Sequence, residues 1–150
     1  MTAAVTEKYE EMILDVEFDP VGAPGVYTAI CGLIDVEISR AANVDTADIP
    51  DCDDESLPLS VERQVRSIEV TVSATGVWAQ SSQDKLKDWF YSSATLNVRL
   101  RDTKAAPGET ETESGPALLT SLGNSRTKGQ KVTAAIEIQF DGTPTRANKA

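Results

Sequence analysis

Apolar and polar residues alternate along most of this chain, and the alternation marks out strands. Met12, Leu14, Val16 and Phe18 fall on one face of residues 12–18, with Ile13, Asp15 and Glu17 on the other. Residues 35–40 alternate in the same way, as a half-buried strand. Residues 65–77 are the clearest case. Ile68, Val70 and Val72 share one face, Glu69, Thr71 and Ser73 the other, and β-branched residues recur throughout. Leu96, Val98 and Leu100 alternate with Asn97, Arg99 and Arg101, and residues 132–140 form a closing strand. Residues 26–31 are β-prone until Gly32 breaks them, and residues 117–122 fit a strand or a short helical turn equally well.

One segment follows a different period. Ser81 with Asp84 three residues on matches a capping box. Leu86, Trp89 and Phe90 then recur at i, i+3 and i+4, a stripe expected to pack as helix core. A single mid-chain helix among six or seven strands does not fit the strand–helix alternation of a parallel sheet. The expected fold is therefore mainly β, an antiparallel β-sandwich or partial barrel with one flanking α-helix, in one domain over residues 1–150.

Four polar segments interrupt this frame: an N-terminal arm at 1–11, a long acidic loop at about 43–59, a polar loop at 102–115 and a tail at 144–150. The tail carries Arg146 and Lys149 and is expected to be mobile. The acidic loop is the most pointed of the four. Asp45, Asp48, Asp51, Asp53, Asp54 and Glu55 lie there with no Lys or Arg between them. A hairpin needs only about two to five connecting residues, so a longer acidic connection requires an explanation. It reads as a metal loop, a solvated spacer or an arm that reaches a partner. The spacing departs from the EF-hand pattern, because no glycine sits at the turn and the glutamate comes too early.

Composition narrows the chemistry. The chain has 150 residues, a formal charge of −10 and no histidine. It is long enough for one domain with a real core. The negative charge opposes tight binding to a phosphate backbone, but does not exclude a protein that lets DNA slide past without sticking. Without histidine the usual general base is missing, and no glycine-rich phosphate loop is present. The carboxylates are clustered in loops or scattered along strands, which gives no pair placed for glycosidic chemistry. No enzymatic role, metal or cofactor is expected. The two cysteines cannot complete a structural zinc site, and Cys31 is expected to be a small buried hydrophobe in a reduced compartment. No apolar run approaches the roughly 20 residues that span a bilayer. The first ten residues show no basic region followed by an apolar stretch, so neither a signal peptide nor a membrane role is expected. An open antiparallel sheet with polar outer faces also permits assembly by edge pairing, which the sequence does not prove.

Several pieces occur in an order that carries more than any one of them. Gly32-Leu33-Ile34 and its strand are followed by Asp48-Ile49-Pro50-Asp51-Cys52-Asp53-Asp54-Glu55 and then Val61-Glu62-Arg63. Gly76-Val77-Trp78-Ala79 precedes the helix, Leu86-Lys87-Asp88-Trp89-Phe90 lies within it, and Phe140-Asp141-Gly142-Thr143-Pro144 closes the last strand. In this order the chain resembles the major tail tube protein of long-tailed (siphovirus-like) phages and of phage-like gene transfer particles, over roughly residues 26–101.

The resemblance implies a sandwich that completes a β-barrel on hexamerisation, with rings stacked into a hollow conduit through which DNA passes without specific binding. It implies contacts with tape-measure, tail terminator and distal tail proteins, a place in the virion tail and assembly in the host cytoplasm. The segment holding Asp45, Asp48, Ile49, Pro50, Asp51, Asp53, Asp54 and Glu55 corresponds to an inter-subunit or ring-stacking loop. Glu37 and Glu69 are candidate lumen acids, although alternation alone does not tell the lumen face from the outer one. Arg66, Arg99 and Arg101 are candidates to pair with acids across subunit boundaries. Two other readings stand beside this one: an acidic β-sandwich binding module dependent on calcium or carbohydrate, and a tail terminator or other head-to-tail ring protein.

Overall fold

The computed structural model describes residues 3, 4 and 6–150. Met1, Thr2 and Val5 of the N-terminal arm lie outside the described residues. A short 3-10 turn, Tyr9–Glu11, leads into β1 (Met12–Val16) and β2 (Thr28–Ala29). Two long strands follow, β3 (Leu33–Ile49) and β4 (Ser60–Val77), and then the helix α1 (Gln80–Ser92). The chain continues through β5 (Leu96–Asp102), β6 (Thr110–Ser125), β7 (Thr133–Phe140) and β8 (Thr145–Asn148).

All pairings are antiparallel, in the order β2-β1-β5-β6-β7-β4-β3, with β8 also against β6. Strand β6 passes from one layer to the other. Its first part, to Ala117, pairs with β5 and β8, and its second part, from Ala117, pairs with β7. The sheet bends over itself there. Arg40 on β3 therefore reaches Glu113 on β6 at 2.7 Å, although β7 and β4 lie between those strands in the sheet order. Tyr9 Oη, donating to the Leu33 carbonyl at 2.7 Å, ties the N-terminal turn to β3 across the opening.

The inward alternation fills the space between the layers. Leu14, Val16, Val72, Val98, Ile136 and Ile138 are buried there, with Leu86 and Trp89 of α1 against them. The helix begins after Ala79, whose side chain offers no cap, so the expected capping box at Ser81 and Asp84 does not form. Ser82 is turned inward instead and accepts the Cys31 N–H at 3.0 Å. The helix ends at Ser93 in the left-handed region (φ 56°), and Trp89 Nε1 donates to the Ala94 carbonyl at 2.8 Å. Its buried line runs Ser82, Gln83, Leu86, Trp89. Phe90 lies beside that line, 36% exposed against Tyr91, which corrects its expected place in the core.

Four further expectations change. Residues 43–49 are strand, not loop, because β4 supplies an antiparallel partner from Ser60 to Ser67, with one register shift between Asn43 and Val44 that leaves Arg66 unpaired. Residues 110–115 are also strand, which reduces the polar loop to 103–109. The expected mobile tail is β8, held against β6 from Thr145 to Asn148. Cys31 is exposed, because it lies in the turn between β2 and β3.

Candidate functional site

Two strand edges and one projecting hairpin stand out. β3 ends the sheet order, so among the described residues β4 alone pairs with its 17 residues. β6 loses its β5 partner after Ala117 and keeps β7 alone to Ser125. Neither stretch, residues 34–49 or 118–125, contains the Pro or Lys that commonly guards an edge. Because β3, β4, β7 and β6 are successively antiparallel, the two free edges run in opposite directions.

The hairpin is built by the excess length of β3 and β4. β7 covers β4 only from Thr71 to Val77, so residues 60–70 have β3 alone beside them. Those residues form a two-stranded ribbon projecting roughly 35 Å at about 3.3 Å per residue. It exposes Val44, Leu57, Leu59, Val61, Val65 and Ile68. Val44 lies directly opposite Val65, an apolar pair left exposed among the described residues. A lone ribbon of this kind is marginal in water.

The six acids singled out in the sequence, with Ile49 and Pro50, fall into two places on this ribbon. Asp45, Asp48 and Ile49 are on β3, while Pro50, Asp51, Asp53, Asp54 and Glu55 belong to the connecting tip. The tip is ordered by its own carboxylates. Asp51 Oδ1 accepts the N–H groups of Asp53 (2.8 Å) and Asp54 (3.1 Å), and Asp54 Oδ1 accepts the Ser56 N–H at 3.0 Å. The Ser56 hydroxyl, and then its backbone N–H, hold the Asp54 carboxyl below the usual carboxylate range. Among the described residues no three Asp, Glu or Cys side chains converge as a metal ion would require.

Glu37 and Glu69 do not touch, but they share a face. Glu37 stands opposite Ser73 and Glu69 opposite Ala41, while the intervening Ile38 and Val72 turn into the core. The register extends this outer face to Asp35 on β3 and Glu137 on β7, the latter opposite Ser73. Thr71, Ser73, Thr75, Gln139 and Ser121 complete it, with no Lys or Arg at these positions. Glu137 was legible in the alternation of its strand, but only the pairing puts it beside β4.

The three candidate cross-boundary arginines all have partners within the chain. Arg99 Nη2 meets the buried Asp15 Oδ2 at 2.9 Å, and Arg101 Nε lies 3.5 Å from the same oxygen. Arg99 also stacks 4.2 Å over the Tyr27 ring, and Glu17 Oε2 accepts the Gly25 N–H at 2.8 Å, which binds the 19–27 connection over β1 and β5. Arg66 sits 3.7 Å from Asp45 on the ribbon surface. Among the described residues no helix is long and apolar enough to cross a membrane.

An antiparallel sheet with two strand edges open to pairing and a projecting ribbon fits the class of structural, assembling subunits. The family model described as phage tail tube protein matches residues 9–146, and the chain belongs to that family. Solved structures share the fold. The tail of an empty gene transfer agent (GTA) particle, refined with C6 helical symmetry, superposes with a TM-score of 0.73 at 12% identity, covering 95% of this chain and 99% of that one. The virion of a native GTA particle gives 0.69 at 13% identity, with 95% and 99% covered. The SPP1 tail tube gives 0.69 at 11% identity, with 97% and 81% covered. Comparison with curated proteins finds no match.

Proposed function

We propose that six copies of this chain close into a ring, and that rings stack into a hollow tail tube with an acidic lumen for DNA passage into a host cell. The observation that carries this reading is the direction of the free edges. A second copy in the same orientation, rotated about a common axis, brings its β3 beside the first copy's 118–125 edge as an antiparallel pair. Repeated around the axis, this contact leaves no edge unpaired. The C6 symmetry of the related GTA tail supports six copies.

In such a ring the core side of the layer carries α1 and β5, so the opposite face turns to the axis. Asp35, Glu37, Glu69 and Glu137 then line the wall. They repel phosphates, and DNA passes without the many small contacts that would retain it. The ribbon, with Asp45, Asp48 and Ile49 on its shaft and Pro50, Asp51, Asp53, Asp54 and Glu55 at its tip, is the inter-subunit contact arm. The tube joins tape-measure, terminator and distal tail proteins in the virion tail of a phage or gene transfer particle, after assembly in the host cytoplasm. No catalysis, cofactor or metal enters this role.

Negative-stain microscopy of the purified chain tests it. Hollow tubes or six-fold rings, indifferent to chelators, are expected. Monomers that persist at high concentration and melt higher with calcium would overturn it. Deleting residues 45–57 should leave a folded protein that no longer polymerises, and normal tubes from that variant would refute the arm.

A further inference from the structure

The ribbon tip and the β6–β7 turn occupy opposite ends of one layer. β4 starts at Ser60 beside the tip and ends at Val77, which pairs with Thr133, and Thr133 in turn pairs with Ser125. The 18 residues of β4, at about 3.3 Å each, separate the two ends by roughly 60 Å. The ends carry opposite charge. The tip holds Asp51, Asp53, Asp54 and Glu55 without a base, and the turn Arg126-Thr127-Lys128-Gly129-Gln130-Lys131 holds three bases without an acid. The turn is exposed throughout and set by the Gln130 N–H donating to the Thr127 carbonyl at 3.1 Å. Among the described residues, none of its three cations lies within ion-pair distance of a carboxylate. α1 starts at this same end, with no acid in its first turn.

Neither end can satisfy the other within one copy. The ribbon's apolar flank, with Val44 opposite Val65, is also exposed among the described residues. A second copy placed head to tail along the strands meets both needs. We infer that the acidic tip of each ribbon docks on the β6–β7 turn of a copy in the adjoining ring, and that Arg126, Lys128 and Lys131 are its receptor. This rests on the stacked-ring reading above and adds the partner surface and the polarity of stacking. Tip facing tip and turn facing turn repel, so rings add in one direction only, as an open heterologous contact.

The test is charge reversal at each end. R126E/K128E/K131E changes exposed turn residues outside the core, just past the end of the 118–125 edge and contributing to none of its strand pairs. It should still form rings but need about a tenfold higher concentration to grow tubes. D51K/D53K/D54K/E55K should fail in the same way, and combining the two sets should restore tube growth. Raising salt from about 0.1 to 1 M, which cuts the screening length from roughly 10 to 3 Å, should shorten wild-type tubes before rings dissociate. Normal tubes from the turn variant, or no rescue in the combined variant, would overturn the docking while the tube reading stands. Wild-type protein that forms neither rings nor tubes would remove the tube reading itself.

Discussion

Gly76 and Gly32 show how tightly single residues set this frame. The Val77 N–H donates to the Gly32 carbonyl at 2.8 Å, and a Cβ on Gly76 would overlap that carbonyl and approach Leu33 Cα at 2.7 Å. Gly32 itself has φ +88°, where other residues are strained. Gly76→Ala should therefore cost about 1–3 kcal/mol in urea unfolding, with an unchanged midpoint arguing that the two backbones are not locked together. Asp15 is a second such position. It is buried and serves two guanidinium groups, so Asp15→Ala leaves Arg99 and Arg101 without their acid. Because both arginines keep some contact with water, the loss should be about 2 kcal/mol, less than for a fully buried pair. Asp15→Asn, which retains the shape and an acceptor, should lose less in the same melt. The residue scale was also the least legible in sequence. Cys31 reads as a buried thiol by type, yet its turn puts it outside.

At the scale of elements, the helix and the ribbon behave oppositely. Leu86 is fully buried, whereas Phe90 is at the rim, so Leu86→Ala should cost about 2–5 kcal/mol and Phe90→Ala less than about 1 kcal/mol. Equal losses would mean that both carry the core. The i, i+3, i+4 stripe predicted the helix but not its rotation, because three positions spanning one turn leave open which edge meets the sheet. Beyond Val70, among the described residues, the ribbon is supported by its own two strands alone, through their ladder and the surface Arg66–Asp45 pair. Amides of residues 42–49 and 60–69 should exchange rapidly in the monomer and become protected in the assembled state. Slow exchange in the monomer would show that the ribbon needs no cover. Asn43, Asp45, Ala47 and Asp48 are poor strand formers, so the local sequence favours a connection over a strand there. The long β-branched run of β4 draws them into a ladder all the same.

For the whole molecule, the charge of the outer sheet face governs how an assembled tube would treat DNA. If Asp35, Glu37, Glu69 and Glu137 form the wall, replacing Glu37, Glu69 and Glu137 by Lys should leave tubes intact but make them retain double-stranded DNA. That retention should weaken with salt, by a logarithmic slope of about −0.9 for each phosphate engaged. Tubes of the variant that release DNA as readily as wild type would place these residues away from the lumen.

Period-two alternation is local, so the sequence by itself determined that the chain is mainly β, where its principal strands lie and that one helix flanks them. The acid-rich composition likewise settled its charge, and the order of short segments indicated its family. Register, bends and edges are non-local, and only the tertiary structure decided them. A strand's alternation says which residues share a face but not which strand lies beside it. Pairing therefore had to show that β6 crosses between layers, that 118–125 and β3 are left open, and that the tail closes as β8. It also turned the acidic segment from a loop into the end of a ribbon, with a basic turn at the far pole of the same strands.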